Sequence, residues 1–463
     1  MKKICTVLVL FLVANLLIID TQAQSRMRKG PYLIYPGNNT EMMVLWQLDT
    51  TINCTIIWGN DTTYQDGTLI TTEKDSLVDG HQHIITLTGL IADTKYFYKV
   101  TENGIEHKGS FVAAPYDSDN CIVFYAYGDT RSLPAHHDSV LKSLMDVINS
   151  ANQNQSILIH SGDWNSNEGE TYWNSEYFNR SYSNIIDAQA NIPINGVRGN
   201  HEGIAVTFLK YWPYDSLGNF YYSFDYGPAH FTMVDQYVDY SDTSVQYAWI
   251  QSDLAASAKE WKFIVLHEPG YSDLAAHPNN VQVQTYIEPL CIQYNVQAVI
   301  AGHNHMYAHC NVNGIHHITT GGGGGPLYSV SGTGTGLLAS ESTLHFVKFT
   351  LCNDICIVEA IRPDGTIADM FEIFPLVPVN QNILSNVGFF PNPATDVLNI
   401  DIRKLYSEKV KIEIFSSEGN CVYQQTINYK PEFEIETSKF SKGIYTINIS
   451  GIGFCESGKI MFE

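Results

Sequence analysis

Five short motifs hold the residues whose types can do chemistry: Gly128-Asp129, Gly162-Asp163, Gly199-Asn200-His201-Glu202, His267 and Gly302-His303-Asn304-His305. Aspartate and asparagine offer hard oxygen ligands and histidine an imidazole nitrogen. That donor set suits Fe, Zn or Mn and not a thiolate site. Cations that hydrolyse in pairs sit about 3.5–4 Å apart, so such a site needs a carboxylate shared between them. Taken singly, each motif is weak. Gly-Asp is a common turn pair, and an isolated histidine is more often a satisfied polar group than a ligand.

The segments that precede the motifs give them weight. Apolar runs at 122–126, 157–159, 192–197, 263–266 and 296–300 end in the five motifs in turn. Buried strands that each end in a ligand-type residue place those residues at one edge of an α/β sheet, where such folds build their sites. Residues 136–149 have helical period, with Val140, Leu144, Val147 and Ile148 on one side. If the stretch 303–305 is extended, His303 and His305 point the same way, because a strand has period two. Residues 221–226 and 230–234 read as a core hairpin with His230 packed inside, and Trp164, Trp173, Tyr177 and Phe178 read as core packing. Residues 24–115 are short strands broken by turns, the spacing of an all-β sandwich, with a linker from Ala114-Pro115 to Asn120. From about Leu384 the chain again reads as strands and glycine turns, a small second sandwich.

Together, in this order and at these strand ends, the motifs resemble the calcineurin-like metallophosphoesterase superfamily over residues 121–374. Gly30-Pro31-Tyr32-Leu33, Trp46, Leu87-Thr88-Gly89-Leu90 and Thr94-Lys95-Tyr96 resemble the fibronectin type III-like N-terminal domain of purple acid phosphatases. The pair points to that branch. The resemblance implies an α/β fold, a sandwich-like αββα core at 120–375, flanked by the all-β domain at 24–115 and the small β-sandwich at 384–463. It implies a bridging Asp163, a first metal on Asp129 and His305, and a second on Asn200, His267 and His303. His201 is then no ligand but the group that stabilises the transition state or protonates the leaving group, a task suited to a side chain that titrates near working pH. Glu202 is expected to orient its ring.

Two departures matter. Many members carry a His two residues after the first Asp, where this chain has Arg131; purple acid phosphatases carry a Tyr three residues after the second, where it has Ser166. The first metal thus lacks its usual extra ligand, and without a phenolate the protein is expected not to be purple. His137 is the favoured replacement, since bacterial relatives with Gly-Asp-Thr-Arg here often show a His at that position; His136, Asn165 or a water are the alternatives. Arg131 has a planar fork that suits a phosphate oxygen, and equally a salt bridge to a neighbouring acid. The run Gly321–Gly325 before Pro326 lacks the Gly-Lys-Ser/Thr of a phosphate loop and reads as a strand-to-loop transition. His277 reads as a solvated loop residue.

The 463 residues suggest roughly three domains. With 26 Lys plus Arg against 48 Asp plus Glu, the net charge of −22 argues against nucleic-acid binding through the overall field. It leaves room for a phosphate ester at a locally positive site. Lys2 and Lys3, the apolar run 4–19 and Thr21-Gln22-Ala23 form a secretory signal expected to be cleaved after Ala23; no later segment is apolar enough to span a membrane as a helix. The cysteines beyond it can pair in an oxidising compartment, though connectivity cannot be read from spacing. Cys352 and Cys356 flank a hairpin turn, and a bridge across it is one pairing open to them. The word Pro391-Asn392-Pro393-Ala394-Thr395-Asp396 resembles the C-terminal sorting domain of the type IX secretion system of Bacteroidota. The expectation is a secreted or cell-surface phosphoester hydrolase with two divalent or trivalent ions (Fe, Zn or Mn), acting on small phosphate esters through a metal-bound hydroxide. Its expected partners are that substrate and the type IX machinery. A phosphodiesterase on the same centre and a non-catalytic binding protein on this scaffold are the competing readings.

Overall fold

A computed structural model describes residues 24–375 and 387–462, apart from 74–79, 120, 151–156, 204–205, 215–219, 276, 392, 403–408, 417–419 and 452–453. The expected signal peptide and the expected boundary near Leu384 lie outside the described residues. The chain divides into two compact units at 376/377.

In the first unit, strands Met27–Ile34, Glu41–Leu48 and Gln82–Thr88 form one sheet, and Cys54–Gly59, Gly67–Thr71, Lys95–Glu102 and Ile105–Val112 another. Trp46, Val44 and Leu87 from the first pack on Ile56, Tyr98 and Val100 from the second, closing a β-sandwich. Buried polar contacts join this sandwich to the helices of the larger α/β core. The Tyr32 hydroxyl donates to the Tyr211 carbonyl and the Tyr98 hydroxyl to that of Ala190, each at 2.8 Å.

In that core two larger sheets face each other. One runs Ile194–Gly196, Leu158–His160, Cys121–Tyr127, Phe346–Cys352, Ile355–Ile361, Ile367–Ile373, its first three strands parallel. The other runs Tyr222–Tyr226, Ala229–Met233, Trp261–Val265, Ala298–Ala301, Ile315–Thr320, Tyr307–Val312, Leu337–Glu341, with a parallel block from Ala229–Met233 to Ile315–Thr320. Alternation sends one set of side chains from each sheet inward, and there Phe124, Phe231, Phe263 and Phe349 are fully buried. Phe124 stacks on Phe349 with centroids 4.3 Å apart. Helices Pro134–Ser150 and Ser183–Asn191 cover one outer face; Val245–Ala256 and Glu288–Tyr294 cover the other. The result is the expected four-layer α/β core. Pro134 opens the first helix at a position where its missing N–H costs no hydrogen bond. Trp164, Trp173, Tyr177 and Phe178 are buried in the layer beneath it, as core.

The disulfide pairing differs from a bridge across the hairpin turn. Cys352 bonds to Cys121, its partner on the neighbouring antiparallel strand. The hairpin register sets Ile355 opposite Cys352, so Cys356 projects to the other face of the sheet and stays buried and unbridged.

The second unit holds a three-stranded sheet, Gly388–Phe390, Val397–Asp401 and Glu432–Glu436, and a four-stranded one, Cys421–Asn428, Lys409–Phe415, Gly443–Gly451 and Phe454–Phe462. Leu398, Ile400, Ile412 and Ile447 form its own core.

Candidate metal centre

The parallel strands of both sheets release their motifs at one end of the sandwich. Asp129, Asp163 and Asn200 follow strands of the six-stranded sheet, and His267, His303 and His305 follow strands of the seven-stranded one. Three of these residues leave their strands in the left-handed region: Asp129 at φ 59°, Asp163 at 55° and His303 at 68°. Such conformations are costly for residues with a Cβ and persist where the surroundings impose them. Here the loops are tied together. The Asp129 N–H donates to the Gly162 carbonyl at 2.9 Å, and the Asp129 carbonyl accepts from Gly325 at 2.7 Å. The His303 N–H donates to Asp129 Oδ2 at 2.8 Å, and the His201 N–H to Asp163 Oδ1 at 3.1 Å. The positive φ of His303 also corrects the expectation of an extended 303–305. His303 turns toward Asn200 while His305 faces Asp129. A Cβ on Gly302 would stand 2.5 Å from Asp129 Oδ2, and one on Gly325 2.8 Å from the His305 ring. The glycine run is thus a transition that also makes room for ligand side chains.

Ligand atoms of Asp129, Asp163 and His267, all buried, lie within 4.8 Å of one another. His267 Nε2 is 3.3 Å from Asp163 Oδ1 and 3.1 Å from Asn200 Oδ1. His303 Nδ1 is 3.2 Å from the same Asn200 oxygen, and His305 Nε2 is 3.4 Å from Asp129 Oδ1. The other nitrogens fix the tautomers. His267 Nδ1 meets the Ser161 carbonyl at 2.8 Å and His305 Nδ1 the Pro326 carbonyl at 2.7 Å. A carbonyl only accepts, so each Nδ1 carries a proton, and each Nε2 is turned inward at oxygen, where it either holds a second proton or offers its lone pair to a metal ion. Nitrogen facing carboxylate is repulsive unless a proton or a metal cation stands between them. Asp129 Oδ1 and His305 Nε2 are buried with no hydrogen-bond partner, an arrangement that is expensive if nothing binds there. By donor type, tautomer and unmet polar atoms, the residues fit metal ions. Burial pushes the Asp163 carboxyl up, but His267, His201 and Arg131 outweigh it and hold it below its ordinary value. Burial lowers His267, and Asp163 and Asp129 more than reverse that.

Around this set several expectations are revised. His137 does not join it. Its Nε2 lies 3.0 Å from the Tyr127 hydroxyl, its ring stacks on Tyr177, and burial holds its pKa down at about 3. The helix that starts at Pro134 turns this residue inward, into the aromatic layer. Arg131, left open between two readings, makes an ion pair: its Nε is 3.2 Å from Asp163 Oδ2, with the side chain 16% exposed. His201 Nε2 lies 3.7 Å from the same oxygen. Its Nδ1 meets the Ser166 carbonyl at 2.8 Å, so Ser166 orients the ring and Glu202 does not. The Glu202 carboxylate instead accepts the backbone N–H groups of Asp163, Trp164, Asn165 and Gly199, shaping the loop that carries the bridge residue. His277 packs on His303, with ring centroids 4.3 Å apart. His230 is packed, paired with Asp225 and Asp253.

Two neighbours were not anticipated. Tyr328 lies flat on the His305 ring at 4.4 Å and hydrogen-bonds Arg131; its only sequence signal is that an aromatic follows the glycine run. Glu176 accepts from the backbone N–H groups of Ser132 and Ser166, and no motif contains it.

The calcineurin-like phosphoesterase family matches residues 122–307, and the secretion system C-terminal sorting domain family matches residues 388–463. Among curated relatives, purple acid phosphatase 23 of Arabidopsis thaliana is 35% identical over 26% of this chain and 30% of its own. Purple acid phosphatase 22 of the same plant is 27% identical over 53% of this chain and 59% of its own. The chain therefore spans less than two thirds of the length of these relatives. Among solved structures, a purple acid phosphatase from yellow lupin (Lupinus luteus) seeds superposes with a TM-score of 0.62 at 19% identity, covering 74% of each chain. PhoD superposes at 0.56 and 13% identity, covering 76% of this chain and 90% of its own. The likeness to both structures is one of fold. The chain carries a calcineurin-like phosphoesterase domain at residues 122–307, similar to that of the purple acid phosphatases, and a secretion system C-terminal sorting domain at residues 388–463.

Proposed function

We propose that the protein is an exported phosphoester hydrolase with two metal ions, Asp163 bridging them, Asp129 and His305 completing one position and Asn200, His267 and His303 the other. The observation that carries this reading is the convergence of those side chains with the His267 and His305 Nε2 atoms turned inward. Cations held there supply Lewis acidity toward a phosphoryl group. The chain supplies the rest. With its Nδ1 proton given to Ser166, His201 keeps Nε2 for a second proton, facing Asp163 in a ring 30% exposed. That proton can pass to a leaving alkoxide. Contacts to Asp163, Ser132 and Tyr328 engage part of the five-donor fork of Arg131, which leaves donors to grip a phosphate oxygen. A small phosphomonoester is the favoured substrate. The match at residues 388–463 supports delivery through the type IX system to the surface or beyond.

The test is turnover of an aryl phosphate and of its diester, with metal content measured on the same sample. The reading expects about two ions per chain and the monoester as the better substrate. Two ions with diester preference would move it to the phosphodiesterases, and no turnover of either would leave a binding scaffold. In a host with the type IX system, deleting 384–463 should strand the protein in the periplasm.

A further inference from the structure

We infer that Glu176 is a positioning residue, a latch between the loop after Asp129 and the loop after Asp163 that sets where Arg131 and His201 stand. One oxygen of its carboxylate, Oε2, accepts three hydrogen bonds: from the Ser132 N–H at 2.8 Å, the Ser166 N–H at 2.7 Å and the Ser166 hydroxyl at 3.0 Å. Ser132 and Ser166 also join directly, hydroxyl to hydroxyl, at 2.8 Å. Each serine leads to one group that faces the proposed phosphate site. The Ser132 hydroxyl accepts from Arg131 Nη1 at 3.3 Å, and the Ser166 carbonyl holds His201 Nδ1 at 2.8 Å. Ser132 sits at φ 72°, a left-handed conformation that the loop keeps while its N–H is claimed. A charged acceptor nearly out of water binds such donors strongly, and Glu176 is only 8% exposed.

The latch itself is anchored. Glu176 caps the short helix Glu170–Ser175, and at the other end Glu170 accepts from Lys29 at 2.5 Å and from the Tyr211 hydroxyl. Lys29 belongs to strand Met27–Ile34 of the N-terminal sandwich and is fully buried. The sandwich thereby reaches the rim of the site through this short helix. The hydrogen bonds of Glu176 go to Ser132 and Ser166, and the arrangement meets the metal-ligand set at Asp163, which Arg131 and His201 both face.

The inference rests on the proposed roles of His201 and Arg131, and the test separates the two claims. Inorganic phosphate affinity, kcat/KM for an aryl phosphate, metal content and Tm are measured for wild type, Glu176→Gln, His201→Ala and the double variant. Glu176→Gln should weaken phosphate binding about tenfold and lower kcat/KM roughly 10- to 100-fold at unchanged metal content. In the His201→Ala background its effect on kcat/KM should shrink to a few-fold, since residues acting through one another do not add. Ser132→Ala, which leaves the fold of the helix alone, should weaken phosphate binding a few-fold through Arg131. Full multiplicative losses in the double variant, wild-type values in Glu176→Gln, or loss of its metals would each overturn the latch. A wild type that binds phosphate yet turns over no ester would overturn the functional reading and leave the phosphate measurements to judge Glu176.

Discussion

Phe124 and Asp129 lie five residues apart, one inside a strand and one just past its end, and opposite physics holds them. Phe124 is packed against Phe231, Phe263 and Phe349. Asp129 is as deeply buried, but in a left-handed backbone with one carboxylate oxygen lacking a hydrogen-bond partner. Burial without polarity stabilises a fold; burial of unmet polarity draws on that stability and keeps a site ready for a cation. The sandwich interior and its loop end should therefore fail in different ways when altered.

The largest expected effect falls on the loop end. His267→Ala or His305→Ala should lower phosphoester turnover roughly 10³-fold, as expected for several kcal/mol of lost Lewis-acid assistance. Metal-free Tm should fall by only a few degrees, the cost of one ring and its Nδ1 hydrogen bond. A fall of ten degrees would mean these imidazoles belong to the core. Phe263→Ala should do the reverse, costing about 3–5 kcal/mol in denaturant unfolding while kcat of the folded protein survives. If that kcat collapsed, the two regions could not be treated as separable.

His230 lies between these extremes, a buried polar residue with its partners in place. Asp225 and Asp253 lie 2.7 and 3.0 Å from its ring nitrogens. Burial lowers its pKa, and those carboxylates more than reverse this, pushing it up from 6.5 to about 9. A raised folded pKa gives stability that is complete below the unfolded value and lost as pH rises through the folded one. His230→Gln should therefore cost roughly 3 kcal/mol at pH 6 and little above pH 10. Equal losses at both ends of that range would remove the charged pairing. The smallest effect is expected from ending the chain after Leu376, at the division between the two units. Compact units with cores of their own tolerate separation, so metal content and kcat should stay within about twofold. A larger change would show the second unit supporting the first.

The sequence made the strand ends legible because each apolar run stops at a ligand-type residue, a pattern local to a few positions. The order of those strand ends carries the resemblance that implies the family and its four-layer fold, and the word at 391–396 carries the one that implies the sorting tail. What stayed hidden depends on contacts between distant segments. Cys121 and Cys352 meet only because their strands are neighbours in the six-stranded sheet. Glu202 was expected to hold His201; its four N–H contacts arise where the loops after two strands converge. Spacing carries no φ, so strand periodicity puts His303 and His305 on one face, and a single left-handed residue undoes it. Glu176 and Tyr328 belong to no motif at all. His137 illustrates the converse: a histidine at a suggestive position can face the core when the helix that bears it turns that way.

The most direct test of the proposed two-metal centre is metal stoichiometry on Asp163→Ala beside wild type, after chelator stripping and reloading, with aryl phosphate turnover followed on the same samples. Asp163 is the one side chain assigned to both positions, and its oxygens face His267, His201 and Arg131. The account predicts about two ions per wild-type chain, turnover that rises with loading, and a variant that neither retains the pair nor hydrolyses the ester. Two tightly held ions with normal turnover in Asp163→Ala would contradict it.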